Sequence, residues 1–327
     1  MKSLGLSIPL VCLLVIVSPA AADISYTPTL HSELQAVWDD GTTAWSGGPN
    51  ISLIGVIIND AADMSDYSTY SPYVWWQTYI QAAPAGEYGG YTVAPGDYGG
   101  AALYMRAAIP WGSSPYTIYD ATEWATELDR VPNGYSLQYG DVVLVEAQAP
   151  GMFYNGKFNI NEQHNAEPAK DFNITVIGRV APTATPVTLA DLKNPDDSFI
   201  FDETRATGCE RYQASLVRLD NLLLEDAAAW ALDGTVVVKQ GDLTFDMKLG
   251  LDDALMSIDA ASLETTPFSI AAILDQEDDS YEYTGGYRLW LTNASGLTVV
   301  PEPGTLVLLA AAGLALLLLR RRRGASC

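Results

Sequence analysis

Cysteine is almost missing from this chain. Three occur in 327 residues. Only Cys209 lies away from the two ends, so no disulfide can form within the body even in an oxidising compartment. Histidine is scarcer, with His31 and His164 alone, which leaves few bases that titrate near neutral pH. Basic residues are short too, 17 against 40 Asp and Glu. Five of the 17 (Lys2 and Arg320 to Arg323) and one of the 40 (Glu302) belong to the terminal segments. Residues 23 to 300 therefore keep 12 basic and 39 acidic side chains, a charge of about −27 that disfavours nucleic acid and anionic lipid as partners. There is no His-Glu-x-x-His, no Gly-x-Ser-x-Gly and no phosphate-cradling glycine loop. Stability has to come from a buried core, for which about 278 residues suffice as one large or two smaller domains.

Long apolar runs are confined to the ends. Lys2 precedes the run Leu4 to Val17, and Ser18-Pro19-Ala20-Ala21-Ala22 follows it. A positive residue, a short apolar stretch and small residues in that order form a secretory signal peptide, with Ala20 and Ala22 at the two positions a signal peptidase requires. An N-terminal membrane anchor is the alternative. A lipoprotein signal at Cys12 does not fit, because Val11 stands where a small residue is needed. At the other end, Gly304 to Leu319 carries no charge. As a helix it reaches about 24 Å, slightly short of a hydrocarbon core of about 30 Å. Arg320, Arg321, Arg322 and Arg323 follow and act as a membrane stop, which the positive-inside rule keeps cytoplasmic. A plain tail anchor would need nothing more than these parts.

Immediately before that run stands Val300-Pro301-Glu302-Pro303. Each proline fixes its own φ and disfavours helix in the residue before it, so the triplet stays extended and accessible. With the apolar helix and the arginine block, the last 27 residues or so resemble a PEP-CTERM sorting domain. That resemblance implies recognition of Pro301, Glu302 and Pro303 by a membrane-embedded exosortase, which cuts nearby and releases or transfers the ectodomain. The expected location is then the cell surface or extracellular matrix, after export across the inner membrane and a transient anchoring there. The tail Gly324-Ala325-Ser326-Cys327 departs from the pattern.

Between the signals, short β-branched and aromatic runs bounded by Gly, Pro, Asn and Asp predict an all-β body. Strands are expected at 51–58, 74–81, 101–108, 141–148, 157–161 and 172–177, with a helix at 122–129. Residues 180–198, opening with Ala181-Pro182-Thr183-Ala184-Thr185-Pro186, read as a linker. A second set follows at 212–224, 235–238, 243–249, 268–274, 287–291 and 297–300, with a helix at 252–256. The domains are accordingly 23–179 and 199–300. Five strands with a helix before the fourth is the order of a Greek-key barrel of the OB type. Ala214 to Asn221 and Gly286 to Trp290 also resemble phrases of OB-like modules in some extracellular bacterial nucleases and lamin-tail surface proteins. Two tandem OB-like barrels are the expected fold, with a jelly roll or β-sandwich as the alternative.

Candidate chemistry is sparse. His164 lies two residues after Glu162 in a polar loop with no third metal ligand nearby, and lone Cys209 suits packing. Asp196-Asp197 and the run Asp275 to Asp279 are read as solvated acidic turns. Calcium is the one cation their oxygens could collect, although neither has the spacing of a dedicated loop. Six aromatic rings fall within residues 67–79. On a strand Trp75 and Trp76 face opposite ways; Tyr73, Trp75 and Tyr79 share parity and form a candidate face for sugar or protein, unless that face packs the core. The reading that follows is a non-catalytic surface or matrix protein that needs no cofactor and binds exopolysaccharide or neighbouring proteins. The alternative is a polysaccharide-degrading or nuclease-associated enzyme component.

Overall fold

The computed structural model describes residues 24–48, 50–108, 119–131, 137–148, 152–161 and 172–299. The segment expected to be a signal peptide, with Ala20 and Ala22, and His164, Pro301 to Pro303, the apolar run 304–319 and the four terminal arginines lie outside them. Among the described residues no helix is long and apolar enough to cross a membrane.

What is described is mostly β. The first unit contains β1 (Thr27–Pro28), β2 (Asn50–Ile57), β3 (Trp75–Ala82), β4 (Gly86–Tyr88), β5 (Tyr91–Val93), β6 (Gly100–Arg106), β7 (Asp141–Gln148), β8 (Met152–Tyr154), β9 (Lys157–Asn161) and β10 (Phe172–Arg179), with α1 (His31–Leu34) and α2 (Ala121–Arg130). Its main sheet runs β10-β7-β2-β3-β6-β9-β8. All these pairs are antiparallel except β6–β9, which is parallel. Period-two alternation decides which side chains go inward: Ile51 and Leu53 of β2 enter the core with Trp76 and Ile80 of β3. Helix α2 closes one side of this core with Trp124 and Leu128. Asp120 caps it by accepting from the Thr122 and Glu123 amides, while Glu123 reaches back to the Asp120 amide.

The second unit contains β11 (Thr185–Val187), α3 (Gly208–Tyr212), β12 (Ser215–Leu224), β13 (Thr235–Gln240), β14 (Leu243–Leu249), β15 (Phe268–Gln276), β16 (Tyr287–Leu291) and β17 (Leu297–Val299). Strands pair in the order β12-β13-β14-β16-β15, and β15 returns to β12, so this sheet closes as a small barrel. Closure depends on a bulge in β12 between Leu219 and Leu222. It bends the strand so that its first half pairs β15 and its last two residues pair β13. Leucine, valine and phenylalanine side chains from all five strands fill the interior.

The two units share a pairing scheme. In each, the first three strands are antiparallel neighbours, the third pairs the last in parallel, and the fourth lies against the first. The first unit differs in staying open, because β9 and β7 do not pair and β8 and β10 occupy their free edges instead. Strands at 141–148, 157–161, 243–249 and 287–291 fall where the alternation placed them. Residues 180–198, expected as a linker, are mostly structured. Thr185–Val187 adds β11 in parallel to β12, and Leu189 and Leu192 enter the second core. The prolines and threonines that signal a linker fit equally well on a short edge strand. The helix expected at 252–256 is a 3-10 turn, Asp253–Ser257.

Candidate functional site at the seam of the two units

The units are joined side by side. Tyr79 of β3 and Ala102 of β6 pack on Ala214, Leu216, Ile273 and Trp290 of the second unit. Close approach requires a residue without a side chain at position 100. A Cβ on Gly100 would sit 2.1 Å from the Ala214 carbonyl oxygen, and the Gly100 amide donates to the Gln213 carbonyl at 3.0 Å. Gly156 likewise leaves room for the Gln276 amide, and its φ of 95° suits glycine.

One carboxylate anchors the seam. Asp275 of β15 is fully buried. It receives Lys157 Nζ at 2.5 Å, the Tyr79 hydroxyl at 2.7 Å, and two N–H groups of Arg288 at 2.9 and 3.1 Å. Lys157 and Tyr79 come from the first unit, Asp275 and Arg288 from the second. Burial opposes the Asp275 charge, but Lys157 and Arg288 overcome it and hold the carboxyl below its usual range. Burial, reinforced by Asp275, pushes the Tyr79 phenol well up, so it stays a neutral donor. A second buried group lies nearby. Arg205 donates to the Ser32 carbonyl across the seam at 2.9 Å and to the Glu210 carbonyl at 2.9 Å. Burial raises Glu210 to about 7 although the Tyr287 hydroxyl and Arg205 favour its charge.

Where the units diverge, a groove of about 360 Å³ opens, with Asp60, Asp63 and Tyr139 on one wall and Leu216, Asn293 and Ser295 on the other. Asn293 donates to Asp63 at 3.1 Å. Burial raises Asp63 to about 6 against that hydrogen bond, with repulsion from Asp60 and Asp252 adding to it.

The structure corrects the aromatic face. Tyr73 is 76% exposed and precedes β3, whereas Tyr79 is completely buried in the seam. Trp76 points into the first core. Trp75 is half-buried and stacks on Tyr104, ring centroids 5.9 Å apart and planes 28° from parallel. Tyr73, Trp75 and Tyr79 therefore form no shared open surface: the second unit covers that part of β3. The acidic run at 275–279 is corrected too. Asp275 is the seam anchor, Asp278 accepts from the Ser280 and Gly285 amides, and Asp279 accepts from Asn155 across the seam. Asp196 and Asp197 accept from Ser198 and Thr244. Among the described residues no three His, Cys, Asp or Glu side chains are grouped to hold a metal.

His31 is buried, with Nδ1 2.8 Å from Asp97, whose carboxylate also takes the His31 and Ser32 amides at the start of α1. It has a structural partner and no open approach. Burial raises the Cys209 thiol well above its usual value. The seam cluster was missed because its members are scattered from residue 79 to 288. The available signal was Lys157 and Arg288, two cations inside strand patterns.

No curated protein matches the chain. Among solved structures, similarity is low. A chain of a replication protein A heterotrimer bound to single-stranded DNA has 10% identity and a TM-score of 0.29, over 80% of this chain and 52% of that one. This protein thus spans about half of that chain's length. A chain solved in work on structural mimicry for functional antagonism has 7% identity and a TM-score of 0.30, over 81% of this chain and 100% of that one. The HINa domain of Ifi202 in complex with double-stranded DNA has 7% identity and a TM-score of 0.29, over 76% and 94%. Scores this low carry no argument about function. Residues 299–323 match the family described as the PEP-CTERM protein-sorting motif. The chain carries that motif at its C-terminal end, as an exosortase substrate does.

Proposed function

We propose that this protein is a non-catalytic component of the exopolysaccharide or biofilm layer, with two OB-like units that work as one rigid binding body. The observation that carries the reading is the sorting motif at 299–323, attached to an acidic β body held together by buried contacts. The motif supports export and delivery to the envelope or surface, after signal peptidase and exosortase have acted. The shared pairing scheme of the two units supports the OB-like assignment, a barrel type whose outer face and loops take extended polymers. A polysaccharide fits the charge better than nucleic acid does, because a body near −27 lacks a basic groove. The reading assigns the body no catalytic residue and no cofactor.

Deleting residues 301–327 tests the sorting part. The truncated protein is expected to appear in the periplasm or medium and to be lost from the surface fraction. Unchanged surface retention would refute it.

A further inference from the structure

The outer face of β3, β6 and β9 is only partly covered by the second unit. Register places its residues in rows: Trp75 lies opposite Arg106, Gln77 opposite Tyr104, and Tyr104 beside Asn161. Asn159 sits next along β9, beside Ala102. The Tyr79 and Ala102 end is sealed into the seam. Trp75 also packs against the seam cluster, and its stack with Tyr104 is half-buried, so part of the rings stays open.

Around that stack are polar atoms with nothing to bond, although the Arg106 side chain also hydrogen-bonds Tyr104. Asn161 is only 8% exposed, yet its side-chain carbonyl oxygen has no hydrogen-bond partner, and neither has Arg106 Nε; Asn159 has the same orphan oxygen but lies in the Ala102 row that the seam covers. Buried orphan groups are uncommon in native proteins and call for an explanation. An acceptor and a donor on a single face are satisfied together by groups that both donate and accept, which is what sugar hydroxyls do. The stacked rings present apolar area of the kind that packs on the C–H face of a pyranose. A polyanion is disfavoured by the field of the whole body, against which Arg106 is a single cation.

We infer that the Trp75–Tyr104 stack, with Arg106 and Asn161 beside it, is a binding platform for a neutral polysaccharide chain. This rests on the matrix-binding reading above and gives it a location and a ligand class.

The test is affinity electrophoresis of the full chain in detergent. The probes are a neutral and an acidic pool of exopolysaccharide extracted from the producing cells, and an oligothymidylate. Expected is retardation by the neutral pool, weakened about two- to tenfold in Trp75→Ala and in Tyr104→Ala, the size of one lost stacking ring. Trp75→Phe, which keeps a ring and the packing, should stay close to the parent protein. Tyr281→Ala and Tyr91→Ala, exposed rings on a loop and on β5, should bind like the parent. Retardation that is indifferent to both Trp75→Ala and Tyr104→Ala overturns the platform and leaves the matrix-binding function standing. Equal loss in Tyr281→Ala or Tyr91→Ala overturns it in the same way. Retardation by neither pool overturns both the platform and polysaccharide binding. Retardation by the acidic pool or the oligothymidylate alone overturns the assigned ligand class.

Discussion

Replacing Asp275 by alanine should cost more stability than any other single change in the second unit. The side chain is fully buried and holds one cation and one hydroxyl from the first unit and a bidentate guanidinium from its own. Its removal leaves the Lys157 ammonium, itself buried, without an anion. Breaking a buried pair by removing one partner costs roughly 3–5 kcal/mol, chiefly the penalty of the charge left behind. At roughly 2–4 °C per kcal/mol for a chain of this size, the melting temperature falls by about 6–20 °C. Circular dichroism at pH 7 reads the shift on the full chain in detergent. The same reasoning predicts that a double variant, Asp275→Leu with Lys157→Met, regains most of the loss, because a well-packed apolar replacement carries no orphan charge. A fall of less than about 2 °C in Asp275→Ala, well under the least loss a broken buried pair should give, would refute the claim that this cluster locks the seam.

Other expectations follow from the same contacts. Glu210 is raised to about 7, so the native state keeps a proton that the unfolded chain releases from about pH 4.5. Its contribution is greatest below pH 4.5 and is lost as pH rises to about 7, on the order of 3 kcal/mol. Glu210→Gln should flatten this part of the melting profile, and an unchanged slope would assign it to other groups. Asp275, held low, acts in the opposite window, losing its contribution only as pH falls below the ordinary carboxylate range. Tyr79→Phe should destabilise by about 1–3 kcal/mol by removing a buried donor to Asp275, whereas Tyr73→Ala, on an exposed ring, should stay within about 0.5 kcal/mol. Urea titration compares the two, and equal effects would contradict the burial assigned to them. Calcium at millimolar concentration should leave the melting temperature unchanged, since the carboxylates of the acidic turns already accept protein donors; a rise would reveal a stabilising site.

Local pattern carried most of the strands because alternation and glycine punctuation act within a few residues. Leu243 to Leu249 alternates cleanly, and its inward members Phe245, Met247 and Leu249 are the buried ones. The error at β3 has a different origin. Parity correctly separated Trp75 from Trp76, but it says nothing about what covers either face. Tyr79 went into the seam because the barrel of the second unit lies on it, a contact set by a residue 196 positions later. Asp275 was misread for the same reason. A carboxylate next to Glu277, Asp278 and Asp279 looks solvated, and only the arrival of Lys157 and Arg288 makes its burial tolerable. The linker was misplaced because Thr and Pro serve edge strands and linkers equally well.

The distribution of the few cations sharpens the functional argument. Lys157, Lys193 and Arg205 are buried, and Arg288 is mostly covered by its ties to Asp275 and Glu277. These side chains hold the fold together, and the buried carboxylates Glu127, Asp141, Glu210, Asp275 and Asp278 are withdrawn with them, so the face shown to the surroundings stays strongly acidic. Such a surface repels anionic polymers at long range and favours solubility. A partner must therefore be gained by contacts that do not depend on opposite charge. Aromatic stacking and hydroxyl hydrogen bonds meet that condition, and the Trp75–Tyr104 stack beside the orphan oxygen of Asn161 supplies both.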